Sequence, residues 1–195
     1  KAIVPVHLFG RAANMDAIME IANEHNLYVI EDNAQAIGAD YTNKDGVKKK
    51  VGTIGHVAAT SFFPSKNLGC YGDGGAIYTN DDDLAHIIRG IVNHGMYERY
   101  HHDVVGVNSR LDSIQAGVLK AKLPNLDAYN LARKTAAKKY NEALAVNSNI
   151  VVPSFDFNGD DHVFHQYVIR ITNGKRDALL AHLQEKEIPC AIYYP

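Results

Sequence analysis

The sequence has no tryptophan, three methionines, six prolines and two cysteines in 195 residues. The cysteines, Cys70 and Cys190, lie far apart and form no disulfide framework, so a reducing cytoplasm with both as thiols is expected. No apolar stretch approaches the roughly 20 residues of a membrane span, and no signal peptide is visible. Charge of one sign is also missing. The net charge is −2, so no bulk field draws the chain to nucleic acid or an acidic membrane. No helix-turn-helix or basic arm is visible either. The one basic run, Lys48-Lys49-Lys50, follows Asp45-Gly46 and reads as a solvated hairpin tip. Histidine is plentiful, at ten residues, yet no strong ligand spacing appears. His101 and His102 are adjacent, and His162 and His165 would face opposite sides of a strand. No metal site is expected. What is present is ordinary globular composition, 46% hydrophobic and 22% charged, enough for one or two domains. Both ends, Lys1 and Ala191 to Pro195, run directly in strand-like sequence without a polar tail, so a piece of a longer protein is expected.

Apolar runs place the elements. Ala2 to Phe9 reads as a buried strand ending at Gly10. Asn14 caps a helix to about Asn26 with Met15, Ile18, Met19, Ile21 and Ala22 as its stripe. Leu27 to Ile30 is a second strand. Strand, helix, strand at this spacing predicts a βαβ unit with parallel strands. Residues 38–55 form a loop or short hairpin around Asn43-Lys44-Asp45-Gly46. Strands follow at Val57–Phe63 and Gly75–Thr79. A helix capped by Asn80 or Asp81 runs to about Asn93 and stops at Gly95. Met96 to Ser109 has no periodicity, and its Tyr, His and Asn content suits a functional loop. Helices span Leu111–Leu123 and Asp127–Ala145, broken at Pro124. A strand at Val163–Ile171, a helix at Arg176–Lys186 and a strand beginning at Cys190–Tyr194 form a second α/β unit. The division expected is 1–124 as part of a larger domain, 125–150 as a long connecting helix, and 151–195 as the start of a smaller domain. The fold class is α/β, with a mainly parallel sheet and helices on both faces.

The chemistry-bearing residues gather at the predicted carboxyl ends of strands, where open α/β sheets bind ligands. Asp32 follows the second strand; it reads as a ligand-facing acid, or as a cap or a partner for some lysine. Gln35 lies three residues on. Ser61 reads as a phosphate-binding hydroxyl or as a buried serine bonded to backbone. Lys66 follows in a glycine-dense turn, Asn67-Leu68-Gly69-Cys70-Tyr71-Gly72-Asp73-Gly74-Gly75, whose backbone can approach a bound group closely. Lysine is mostly exposed, so position alone leaves a surface charge open. Together these residues match what pyridoxal phosphate needs: an amine for the Schiff base, an acid to keep the pyridine nitrogen protonated, and hydroxyl and amide groups for the phosphate. A lysine serves there once desolvation or a neighbouring cation lowers its pKa from about 10.4.

The string Val29-Ile30-Glu31-Asp32-Asn33-Ala34-Gln35-Ala36-Ile37-Gly38, then Gly52-Thr53-Ile54-Gly55, then Ser61-Phe62-Phe63-Pro64-Ser65-Lys66-Asn67-Leu68-Gly69 and Gly72-Asp73-Gly74-Gly75, resembles the DegT/DnrJ/EryC1/StrS family. Asn93-His94-Gly95, Gly106-Val107-Asn108-Ser109-Arg110-Leu111-Asp112 and Ala191-Ile192-Tyr193-Tyr194-Pro195 also match. The family consists of pyridoxal-phosphate-dependent sugar aminotransferases of the aspartate aminotransferase fold, and its members are roughly twice this length. The resemblance implies that Lys66 forms the aldimine and shuttles the proton. It implies that Asp32 pairs with the pyridinium nitrogen, Gln35 contacts the cofactor near its phenolic oxygen, and Ser61 binds the phosphate. Asn108 would reach the phosphate in a neighbouring subunit of a homodimer. His94, Arg110 and Tyr194 would lie on the substrate side, with a structural role open for each. The substrate implied is a keto-sugar carried on a nucleotide, with glutamate as amino donor. Two other readings stand beside it: a cofactor-binding regulator or sensor without turnover, and the same fold with Lys66 merely structural.

Overall fold

The computed structural model describes residues 1–154 and 161–195. The chain opens with β1 (Ala2–Ile3), a single turn of 3-10 helix at Leu8–Gly10, α1 (Met15–Glu24) and β2 (Tyr28–Asp32). A side hairpin, β3 (Asp40–Thr42) and β4 (Lys48–Lys50), comes before β5 (Val57–Ser61) and β6 (Gly75–Tyr78). Then come α2 (Asp82–Val92), the small hairpin β7 (Met96–Glu98) and β8 (His101–His102), α3 (Ser113–Lys122) and α4 (Leu126–Leu144). The chain closes with β9 (Ile150–Val151), β10 (Arg170–Ile171) and α5 (Arg176–Glu185).

The main sheet has the order β1-β2-β5-β6. β1, β2 and β5 are parallel, and β6 returns antiparallel to β5. The βαβ unit forms as its spacing dictates. The Asn14 side chain accepts the Ala17 N–H at 3.3 Å and starts α1, which seats Met15 and Ala22 against Val29 of β2. A second apolar cluster joins Phe62, Leu68 and Cys70 to Leu119 and Leu126. The helices around Pro124 therefore both pack behind the glycine-rich turn, and a 3-10 turn at Leu123–Asn125 links them.

Several elements differ from expectation, each for a physical reason. The first strand stops after Ile3, because Pro5 has no N–H to donate. Pairing resumes only at the isolated bridge between Val6 and Asp32, after which Phe9 and Gly10 turn the chain at φ of +60° and +97°. The lysine run is not a hairpin tip. It is the returning strand β4, with Lys48 and Lys50 at 3.3 and 2.9 Å from Asp40, while Asn43 accepts the Asp45 and Val47 N–H groups to close the turn. The Met96–Ser109 stretch contains the hairpin β7–β8. The strand expected over 163–171 is reduced to Arg170–Ile171, paired with β9. Its first half instead folds back onto the larger unit: Val163 N–H donates to Gly10 O at 2.8 Å, and the Val163 side chain packs with Ala36, Ala39 and Val51. Residues 190–194 form no strand.

Candidate active site

β2 and β5 run side by side, and β5 continues two residues past the end of β2. Asp32 is registered with Ala59, two residues before Ser61 at the end of β5. Strong bonds hold this edge. Asp32 N–H donates to Pro5 O at 2.9 Å, His7 N–H to Asp32 O at 3.1 Å, and Asn33 N–H to Ala59 O at 2.8 Å. The Thr60 hydroxyl donates to Asn33 O at 3.0 Å. The Asp32 carboxylate accepts the Ala34 N–H at 3.0 Å through one oxygen, and Ser61 Oγ accepts the Phe63 N–H at 3.2 Å. Both side chains are half-buried and keep capacity for a further partner.

Past Ser61 the chain makes a tight loop that carries Lys66. Lys66 N–H donates to Phe63 O at 2.9 Å, and Cys70 N–H to Phe62 O at 2.8 Å. Lys66 is half-buried. Next to it, the buried Asn67 amide donates to Asn130 Oδ1 at 2.8 Å and Val163 O at 3.0 Å. His165 lies 3.3 Å from Asn67 Oδ1. Its pKa is pushed down to about 4 by burial, then by the charges of Lys66 and Arg133. The bonds of Asn67 to Val163 O and His165 set the 163–165 segment against the Lys66 loop.

Gln35 faces two ways. Its side-chain oxygen accepts the Phe9 N–H, and its nitrogen donates to the Tyr194 hydroxyl at 3.2 Å. The Phe9 and Tyr194 rings stack with centroids 6.2 Å apart. Gln35 and Tyr194 thus come together, joined by Phe9. His94 and Asn108 form a separate group. An isolated bridge pairs Asn93 with Asn108, and His94 N–H donates to Val107 O at 2.9 Å. Both are exposed, as is Arg110, and none of the three bonds to Asp32, Ser61 or Lys66.

Sequence reasoning passed over Phe9, Asn67, His165 and the pair His7–Glu31. Glu31 shares no face with Asp32, since neighbouring strand residues alternate. Its signal was the Gly52…Gly55 spacing, which lets a turn's N–H groups close on its carboxylate.

The mostly parallel α/β fold that carries Asp32 and Ser61 at the carboxyl ends of neighbouring strands is that of the solved aminotransferases it superposes on. The chain belongs to the DegT/DnrJ/EryC1/StrS aminotransferase family, whose model matches residues 1–195. It is 51% identical over its whole length to a "Pleiotropic regulatory protein" of Geobacillus stearothermophilus, covering 51% of that protein. It is 48% identical to a UDP-N-acetyl-3-dehydro-alpha-D-glucosamine 3-aminotransferase of Acidithiobacillus ferrooxidans, covering 50% of it. Among solved structures, a DegT DnrJ EryC1 StrS aminotransferase from Brucella abortus superposes with a TM-score of 0.90 at 46% identity, over all of this chain and 50% of that one. NtdA from Bacillus subtilis, solved with bound cofactor PMP, superposes at 0.87 with 31% identity, over all of this chain and 44% of that one. The chain spans about half the length of the curated relatives it matches.

Proposed function

We propose that these residues are part of a pyridoxal-phosphate-dependent aminotransferase that moves an amino group, with glutamate as donor, to a keto-sugar carried on a nucleotide. One observation carries the reading: Asp32 and Ser61 end adjacent parallel strands, Ser61 two residues past Asp32's partner Ala59, and Lys66 follows in the loop after Ser61. The donor set fits the cofactor, since one Asp32 oxygen is engaged by Ala34 N–H and the other is left for a ligand's N–H. When bound, pyridoxal phosphate supplies an electron sink for the carbon that loses its proton. Asp32 would hold a proton on the ring nitrogen. The Ser61 hydroxyl would donate to the phosphate. Gln35 would orient the ring with an amide already fixed by Phe9 and Tyr194. The Lys66 amine would anchor the cofactor and then carry the proton between carbons. Asn108 would reach the phosphate across a homodimer; a cofactor-loaded monomer in sedimentation would count against that role. His94, Arg110 and Tyr194 remain substrate-side candidates. The division at 125 and 151 is part of the proposal, as is a cytoplasmic site of action. None of the described helices is long and apolar enough to cross a membrane.

The test is spectroscopic and catalytic. The whole protein should show the visible absorbance band of bound cofactor and transfer amino groups from glutamate to nucleotide keto-sugars. Lys66→Ala should abolish both. A second reading, a cofactor-binding regulator, draws on the name of the Geobacillus relative. A band that depends on Lys66, without amino transfer to any keto-sugar offered, would favour it.

A further inference from the structure

His7 and Glu31 are both fully buried, at 0% exposure, and nothing in the reading above uses them. The Glu31 carboxylate accepts four bonds. His7 Nε2 is at 2.9 Å and Gly52 N at 2.8 Å from one oxygen; Ile54 N at 2.7 Å and Gly55 N at 2.6 Å bond the other. On its far side, His7 Nδ1 accepts the Ala13 N–H at 3.1 Å. A ring nitrogen that accepts carries no hydrogen, so His7 is neutral and its one N–H points at Glu31. The pair therefore buries one negative charge, neutralised by backbone dipoles and no cation. Every acceptor position is matched, which makes the arrangement intolerant of change in either partner.

The same histidine borders the proposed cofactor site. Its backbone N–H donates to Asp32 O, and the Asp32 backbone N–H donates to Pro5 O. Regular pairing between β1 and β2 ends at Ile3, so these two backbone bonds and the His7–Glu31 side-chain bond line residues 5–7 against the end of β2. Two residues after His7, Phe9 N–H holds the Gln35 side chain. The residue whose ring is held by Glu31 and the Ala13 N–H thus also meets the strand end bearing Asp32 through its own backbone, two residues before the Phe9 N–H that holds Gln35.

We infer that His7 and Glu31 are positioning residues: their buried bond, clamped by the Gly52–Gly55 turn, holds Asp32 and Gln35 where the cofactor ring needs them. This rests on the function proposed above. Glu31 acts only through the backbone, since its side chain lies on the opposite face of β2 from Asp32. Gly55 lets the turn come that close, because a β-carbon there would lie 2.9 Å from Val29 O and 3.3 Å from Glu31 Cγ.

The experiment compares the whole protein, loaded with pyridoxal phosphate, with its Glu31→Gln variant. An amide in place of the carboxylate turns an N–H toward groups that are all donors. The expected result is a cofactor dissociation constant raised on the order of tenfold or more, together with a moved pH midpoint for the bound cofactor's absorbance change, since Asp32 no longer holds the ring proton equally well. Met15→Ala is the control: it opens a cavity in the same helix–strand layer and should lower the melting temperature with the affinity and the midpoint intact. Glu31→Gln that melts early like Met15→Ala, yet keeps wild-type affinity and midpoint, overturns the inference. Should Glu31→Gln not fold, His7→Asn, whose shorter side chain can still accept the Ala13 N–H but no longer reaches Glu31, is measured instead. A severalfold loss of affinity supports the inference, and unchanged affinity and midpoint refute it. A wild-type protein without a Lys66-dependent band defeats the functional proposal and this inference with it. A wild-type band with both variants unaffected defeats this inference alone.

Discussion

Gly69→Ala tests the loop that carries Lys66. A β-carbon at residue 69 would sit 2.6 Å from Pro64 O and 2.8 Å from both Phe63 O and Pro64 C. All three are backbone atoms, so no side chain can swing aside. Gly69 is also pinned from outside, because its carbonyl accepts the Lys122 ammonium at 2.7 Å. The loop must therefore open on its 63–64 side, where Phe63 O holds Lys66 N–H at 2.9 Å. Overpacking of this kind costs about 1–3 kcal/mol, and losing that hydrogen bond adds about 1 kcal/mol, so about 2–4 kcal/mol in all is expected. Urea unfolding of the whole protein measures it. Because the displaced segment lies between Ser61 and Lys66, a cofactor titration should show weaker binding on the order of tenfold, about 1.4 kcal/mol. A stability loss below about 1 kcal/mol with unchanged cofactor binding would refute the reasoning, since it would mean the loop absorbs a methyl group without moving its lysine.

The remaining expectations concern the segment behind that loop. His162 is buried, its Nδ1 accepts the Phe164 N–H at 3.1 Å, and burial, then the charge of Arg11, pushes its pKa down from 6.5 to about 4. The unfolded chain therefore binds more protons between those values, and stability should fall as pH drops from 6.5 toward 4, by up to about 3 kcal/mol for this one group. Urea unfolding across that range should show the slope, and His162→Asn should reduce it by about half, since His165, also pushed down to about 4, contributes the rest. Asn67→Ala strands Asn130 Oδ1 and Val163 O in a buried site and should cost about 2–4 kcal/mol. A double-mutant cycle with Asn130→Ala should show a coupling of about 0.5–3 kcal/mol, and simple additivity would show that the two amides act independently.

Local signals located most of the elements near the proposed site. The βαβ unit was legible because an amphipathic stripe between two apolar runs leaves few other ways to bury them. Asp32, Ser61 and Lys66 were legible as site candidates because each follows such a run. Gln35 and Tyr194 were named separately, and only the folded chain showed them bonded to each other through residues 159 apart in sequence. The 161–165 segment misled for a related reason. Its alternating apolar residues suit a strand, but Val163 finds a better partner in Gly10 and the Ala36–Val51 cluster than in a neighbouring strand.

The βαβ unit, the strands β5 and β6, the five described helices and the residue types that can hold and react with a ligand were legible in the sequence alone, because those depend on periodicity and backbone freedom over a few residues. Whether distant groups meet was decided only by the tertiary structure. Nothing along the chain announces that His7 donates to a carboxylate 24 positions on, or that Asn67 bridges α4 to Val163. Such bonds exist because packing removes water from those side chains, so each must find its partners within the fold.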